Sequence, residues 1–277
     1  MSYTKLHEPA SSVKEYVRGY LFSVTTIYDR YFPAWTQNFL FLLLGDVYCA
    51  VMSNGDRHPG YPEMVVGPRS YPSRLEPSPC HNRSIVVELS PGAALRSAGG
   101  NPRLLTNRIA DAKDVFPTIS ELKTSCAASD SEEEACAILD SYFEHHFRTT
   151  DVGLLGNKRR VLDLLDTTYD FRKLEQGLDA LPLSIRHVRR LFAGITGMSP
   201  SLYLRIRRME QILSDFHRDP DIDYLTRIYD FYDQPHFIRE FRRFTGVRPR
   251  QFLRDMEDEK QRRVHYNLSL RFFDDGR

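Results

Sequence analysis

Residues 184–203 read SIRHVRRLFAGITGMSPSLY, and residues 233–252 read DQPHFIREFRRFTGVRPRQF. Laid one over the other, His187 falls on His236, Val188 on Phe237, Arg190 on Arg239 and Phe192 on Phe241. Thr196 and Gly197 fall on Thr245 and Gly246, Pro200 on Pro249, and Tyr203 on Phe252. That many matches at one offset mark an internal repeat, which has to be settled before the rest of the chain is read.

Each copy has helical spacing. Val188, Leu191, Phe192 and Ile195 form one apolar face, and Phe237, Phe241 and Phe244 form its counterpart. Ser184 and Asp233 stand where an N-cap accepts an otherwise unpaired backbone N–H. Pro235 comes early in the second helix, where its missing N–H costs little. Gly197 and Gly246 follow the last apolar residue of each helix, where a left-handed stop is wanted. A shorter helical segment precedes each copy. Phe171 to Ala180 leads into a turn at Leu181-Pro182-Leu183, and Ile222 to Tyr229 into a turn at Asp230-Phe231-Tyr232. Helix, tight turn and second helix with an apolar inner face make a helix-turn-helix. Between the two units, Pro200 to Phe216 (PSLYLRIRRMEQILSDF) predicts a linker helix with Leu202, Ile206, Met209 and Leu213 inward.

The outer faces are basic. Arg186, Arg189 and Arg190 lie off the apolar stripe of the first copy; Gln234, Arg239, Arg242 and Arg243 lie off that of the second. From Leu174 to Glu259 there is no lysine. Arginine carries the planar fork that pairs with guanine O6 and N7 or with phosphate. A lone basic helix is more often just a solvated face. Two copies with matched caps and with Arg190 over Arg239 favour DNA.

These residues resemble the DNA-binding region of AraC/XylS-type transcription regulators. DQPHFIREFRRFTGVRPRQF is close to that family's signature, and the likeness runs from about Phe171 to Arg254. It implies two recognition helices in successive major-groove segments of double-stranded DNA, held apart by the linker helix. It places base contacts at Arg186, Arg189 and Arg190 in the first unit and at Gln234, Pro235, Ile238 and Arg239 in the second, with Arg242 beside them. The contact at Pro235 can only be apolar. The sequence departs from the family at Asp230, where a glycine is usual in the turn, and at Leu178 and Thr226, where a small alanine usually packs.

Composition sets the frame. The chain has 277 residues, long enough for two domains, with 41% hydrophobic and 27% charged residues, ordinary for a globular protein. No apolar run reaches a membrane span, and MSYTKLHEPASS lacks the apolar core of a signal peptide, so a cytoplasmic protein is expected. The four cysteines, Cys49, Cys80, Cys126 and Cys136, lack metal-type spacing and read as buried or free thiols. The net charge of +1 divides unevenly. Residues 1–150 hold fourteen Lys and Arg against seventeen Asp and Glu, and residues 151–277 hold twenty-four against twenty. The basic excess is on the helix-turn-helix half but is mild, so specific contacts must outweigh a general field.

Residues 1–150 read as a β-rich N-terminal domain for effector binding and dimerisation, and residues 151–277 as the DNA-binding domain. Tyr16 to Tyr28 has strand composition. Asn38 to Met52 holds two apolar runs around Gly45-Asp46 and predicts a hairpin. Ser53 to Pro79 predicts loop around a short strand at Met64 to Gly67, and Ser84 to Leu89 another strand. From Asn101 the pattern turns helical. Glu132 to Phe147 is amphipathic, with Ala135, Ile138, Leu139, Tyr142 and Phe143 inward, as domain core or as a dimer surface. This half is loosely similar to the cupin-like sensor barrels joined to such regulators, chiefly at VVELSPGAALRSAGG, and that implies a small effector. The expected fold is thus α+β: a β-rich, cupin-like barrel with helices, then an all-α domain of two helix-turn-helix units.

Arg69 and Arg74 flank Ser-Tyr-Pro-Ser, and Glu88-Leu-Ser90-Pro-Gly92 follows one strand later. The pair resembles a degraded PilZ motif, in which arginines clamp cyclic di-GMP, though both spacings are off by one. Arg69, Tyr71, Arg74 and Ser90 are therefore candidate effector residues. The alternatives are plain loop arginines, or a sugar-like metabolite in the barrel. No HExxH, GxSxG, P-loop or GxGxxG occurs, and no enzyme, metal or cofactor is expected. The reading is an effector-responsive regulator with DNA, a small effector and a second copy as partners, and RNA polymerase where the output is activation. The rival is an adaptor whose N-terminal domain binds protein and whose DNA binding is vestigial.

Overall fold

The structure is a computed structural model and describes residues 3–27, 30–44, 51–53, 56–58, 60–75, 78–149 and 156–262. Its strands, in chain order, are β1 (Tyr3–His7), β2 (Val17–Ile27), β3 (Arg30–Phe32), β4 (Asn38–Leu43), β5 (Val51–Ser53), β6 (Asp56–His58), β7 (Glu63–Val66), β8 (Ser73–Leu75), β9 (Ser78–Leu89) and β10 (Ile109–Asp111). The helices are α1 (Pro91–Ser97), α2 (Ile119–Ala128), α3 (Glu132–Thr149), α4 (Asn157–Thr167), α5 (Phe171–Asp179), α6 (Ile185–Thr196), α7 (Pro200–Arg218), α8 (Ile222–Ile228), α9 (Gln234–Thr245) and α10 (Pro249–Arg262).

The strands form two antiparallel sheets, one in the order β1-β2-β9-β4-β7-β10 and one in the order β3-β8-β5-β6. Closure into a barrel is not among the described pairings. The large sheet shows the two-residue alternation that a strand imposes. Tyr20, Phe22, Leu40, Leu42, Val65, Ile85 and Val87 face one core, which α1, α2 and α3 complete with Ala93, Ala94, Ile119, Leu122, Leu139 and Phe143. Leu21, Phe39, Val66 and Val86 face the other side, against Trp35. Helix α3 is thus domain core, with Ala135, Leu139 and Phe143 buried and Ile138 and Tyr142 partly so.

Three expectations for this half change. The apolar runs around Gly45-Asp46 do not pair as a hairpin: β4 is taken on both edges by β7 and β9, and β5 pairs with β6 and β8. Gly45 and Asp46 themselves lie outside the described residues. The stretch from Ser53 to Pro79 holds more than the one strand expected at Met64 to Gly67, because β6, β8 and the start of β9 supply backbone partners that composition does not reveal. After Asn101 the chain makes a short turn at Pro102–Leu104 and then adds β10 to the sheet edge before the helices begin.

The C-terminal helices share one apolar core. It holds Leu165, Phe171, Leu174, Phe192, Ile206, Met209, Phe216, Leu225, Phe237, Phe241 and Phe244, and also Ala34 and Leu95 from the β-rich half. Helix α4, which the sequence reading passed over, contributes Val161, Leu162 and Leu165 to this core. Among the described residues no helix is long and apolar enough to cross a membrane.

Candidate nucleic-acid interface

The two units form as their caps dictate. Ser184 Oγ accepts the His187 N–H at 3.3 Å, and Asp233 Oδ1 accepts the His236 N–H at 2.7 Å. Both helices stop at a left-handed glycine, Gly197 with φ 72° and Gly246 with φ 85°. Phe192 and Ile195 of α6, and Phe237, Phe241 and Phe244 of α9, are buried. The opposite faces are open: Arg186, Arg189, Arg190, Gln234, Pro235, Arg239 and Arg242 are exposed. Ile238 is half-buried and packs on the helical core, so only its edge is free. The Gln234 side-chain amide donates to Asp223 of α8. No carboxylate among the described residues pairs with the exposed arginines of α6 or with Arg239 and Arg242, so these guanidinium groups are available to a polyanion.

The linker helix binds the units together. Ser199 caps it, accepting the Leu202 N–H at 3.3 Å. Arg205 reaches α9 with a bidentate pair to Glu240, its Nε at 2.9 Å and NH2 at 2.7 Å. Arg208 lies 3.8 Å over the ring of Phe231 in the turn before α9.

The departures from the family pattern are accommodated. Asp230 takes the left-handed conformation usual for glycine, at φ 53°. Its carboxylate accepts from Arg172 NH2 at 2.7 Å, and that bond and charge hold it below the usual carboxylate range. Arg172 also donates to the Ile228 carbonyl, which fastens α5 to the second unit. Thr226 is buried and returns its hydroxyl to the Ile222 carbonyl at 2.6 Å. Leu178 is buried in the helical core.

The β-rich half touches both units. The Ala34 N–H donates to the Phe244 carbonyl in the last turn of α9 at 2.6 Å. Thr106 Oγ1 donates to the Thr196 carbonyl, at the end of α6, at 3.0 Å. Thr36 donates its N–H to Glu210 of α7 at 2.6 Å, and its hydroxyl to the same carboxylate at 3.0 Å. Beside these, Arg18 of β2 pairs with Glu88 at 3.5 Å and with Asp166 of α4 at 3.1 Å.

Residues 178–255 match the family model described as a helix-turn-helix domain. The segment is a helix-turn-helix domain of the AraC type. No curated protein matches the chain. Among solved structures, ToxT from Vibrio cholerae O395 is similar at 11% identity over 84% of this chain and 96% of that one, with a TM-score of 0.47. A wild-type ToxT from Vibrio cholerae strain SCE256, solved with an unsaturated fatty acid bound, is similar at 10% identity over 89% and 96%, also with a TM-score of 0.47.

Of the expected effector residues, Arg69 and Ser90 are buried and do not stand at an open mouth. Arg69 is fully buried at 0% exposure, with its guanidinium 5.4 Å from the centre of the Trp35 ring. Among the described residues its Nε and NH1 have no hydrogen-bond partner, and burial lowers its pKa. The Tyr71 hydroxyl donates to the Asn107 carbonyl at 3.4 Å. Arg74 stands in β8, paired with Tyr31 and Met52. Ser90 is buried and accepts the Ala93 N–H at 3.1 Å, so its hydroxyl caps α1 and does not face an open mouth. Among the described residues no group of three or more His, Cys, Asp or Glu is placed to hold a metal ion. Cys126 and Cys136 are buried free thiols, and burial pushes each up to about 12.

Proposed function

We propose that this chain is a sequence-specific transcription regulator that reads DNA with α6 and α9 and is controlled by a small anion in its β-rich half. The observation that carries the DNA reading is the matched pair of capped helices, each with a buried aromatic face and exposed arginines that pair with no carboxylate among the described residues. Arg186, Arg189 and Arg190 are the readers of the first unit; Gln234, Pro235, Ile238, Arg239 and Arg242 serve the second. The anion class rests on Arg69, a buried cation with no counter-charge among the described residues. Cyclic di-GMP is one member of that class, and the capping role of Ser90 removes one of the groups that would have held it. The proposal includes work in the cytoplasm, a homodimer formed through the β-rich half and, where the output is activation, contact with RNA polymerase.

The test is selection of binding sites from a pool of random duplexes, followed by footprinting and a salt titration. Two protected major-groove segments are expected about 34–36 Å apart, one helical turn. Affinity should fall steeply with salt as counterions are displaced. Protection of one segment would mean that only one unit docks. No salt-sensitive binding to any duplex would leave the adaptor reading in place.

A further inference from the structure

The contacts between the β-rich half and the DNA-binding domain meet one end of the reading apparatus. The last carbonyls of a helix have no partner inside it and must find donors elsewhere. Here the carbonyl of Phe244 in α9 takes its donor from Ala34, and that of Thr196 in α6 from Thr106. Glu210, on the linker helix between them, takes two donors from Thr36. Ala34, Thr36 and Glu210 are all buried. At Gly197 a Cβ would lie 2.0 Å from Thr106 Oγ1, so the approach admits only glycine.

The two donor segments belong to one body. Trp35 and Arg69 exchange backbone hydrogen bonds at 3.1 and 2.8 Å, and Trp35 Nε1 donates to the Gly67 carbonyl at 3.0 Å. The Asn107 N–H donates to the Pro68 carbonyl at 2.8 Å, and Asn107 Oδ1 accepts the Ser70 N–H at 2.8 Å. Residues 67–70 therefore join segment 34–36 to Thr106 and Asn107. One bracket holds the C-terminal ends of both recognition helices, while their arginine-bearing faces stay open.

We infer that Ala34, Thr36 and Thr106 are positioning residues that hold α6 and α9 in one fixed relation, so that the chain accepts a single spacing between the two DNA segments it reads. The inference rests on the DNA reading proposed above and adds the source of spacing specificity. A helical turn holds about 10–10.5 base pairs, so one inserted pair turns one segment by about a tenth of a turn relative to the other. A rigid reader then loses its second contact, and a loosened one follows the shift.

The first readout needs no DNA. Spin labels are placed on the full chain at Ala193 and Arg243, exposed positions on α6 and α9, with Cys49 and Cys80 changed to serine; Cys126 and Cys136 are buried. The labels should give one narrow distance distribution. Thr106→Val combined with Glu210→Ala should broaden it, and Thr106→Ser combined with Glu210→Gln should restore it. A thermal melt identifies any variant that has simply unfolded, and Thr106→Val alone is then the variant read. A distribution as narrow in the folded variant as in wild type overturns the inference, whether or not DNA binds. The second readout uses the selected duplex with one base pair added between its two segments. Wild type should lose about tenfold or more in affinity, and the loosened variant less than about threefold. Equal losses, or a wild type that binds only once the bracket is loosened, also overturn it.

Discussion

Arg69 shows what a single residue reveals only once it is folded. In the sequence it lies between prolines on a Gly- and Ser-rich stretch, and such stretches are normally on the surface. The backbone of Trp35 takes it inward instead, and the indole ring covers its guanidinium. A buried cation with no carboxylate beside it among the described residues is costly, whereas replacing buried charge by apolar volume is often neutral or stabilising. Arg69→Met keeps the length of the side chain and removes the charge. The ligand-free protein should then gain about 1–4 kcal/mol in denaturant unfolding. A loss of stability would mean that the stacking on Trp35 outweighs the desolvation, and the case for an anion at this place would go with it. Arg69 also sits in the bracket that joins the two donor segments, so an anion bound there would act on the body that holds both recognition helices.

At the scale of elements, the repeat made α6 and α9 legible before any coordinates. Their caps, glycine stops and aromatic faces all occur where the overlay put them. Arg190 and Arg239 occupy matching places; if each forks onto a guanine, Arg→Ala at either should cost roughly 1–3 kcal/mol in binding and relax specificity at one base position. Binding measured on single-base variants of the selected duplex tells this apart from a phosphate role, which would weaken all sequences alike. The elements that sequence reading missed share a cause. The short strands β6 and β8 have weak propensity and exist because they pair with strands that were themselves hard to place. The hairpin expected from Asn38 to Met52 failed because β4 had better partners on both edges, a tertiary fact. Ala34, Thr36 and Thr106 carried no signal at all: small residues near turns acquire meaning only from what they touch.

Across the whole molecule, the junction of the two halves is charged as well as buried. Glu210 is 4% exposed, with Arg207 at 3.7 Å and two donors from Thr36, yet burial outweighs them and raises its pKa above the ordinary 4.5. Asp166, beside Arg18 at the same junction, is raised by the same cause. The sign follows from linkage. A carboxyl whose pKa is higher folded than unfolded binds its proton more tightly in the folded state, so its contribution to stability falls as pH rises through that interval. For Glu210 the interval begins at the ordinary value of 4.5 and ends at the raised one, and above it the penalty is constant. Glu210→Gln keeps an acceptor for Thr36 and cannot titrate. The stability of wild type minus that of the variant should therefore decline as pH rises from 4.5 and then level off. Melting temperatures of both full-length proteins over that range give the difference directly. Should wild type instead gain on the variant with rising pH, Arg207 and Thr36 hold Glu210 as a favourable anion. The junction would then be tightened by that charge, not loosened.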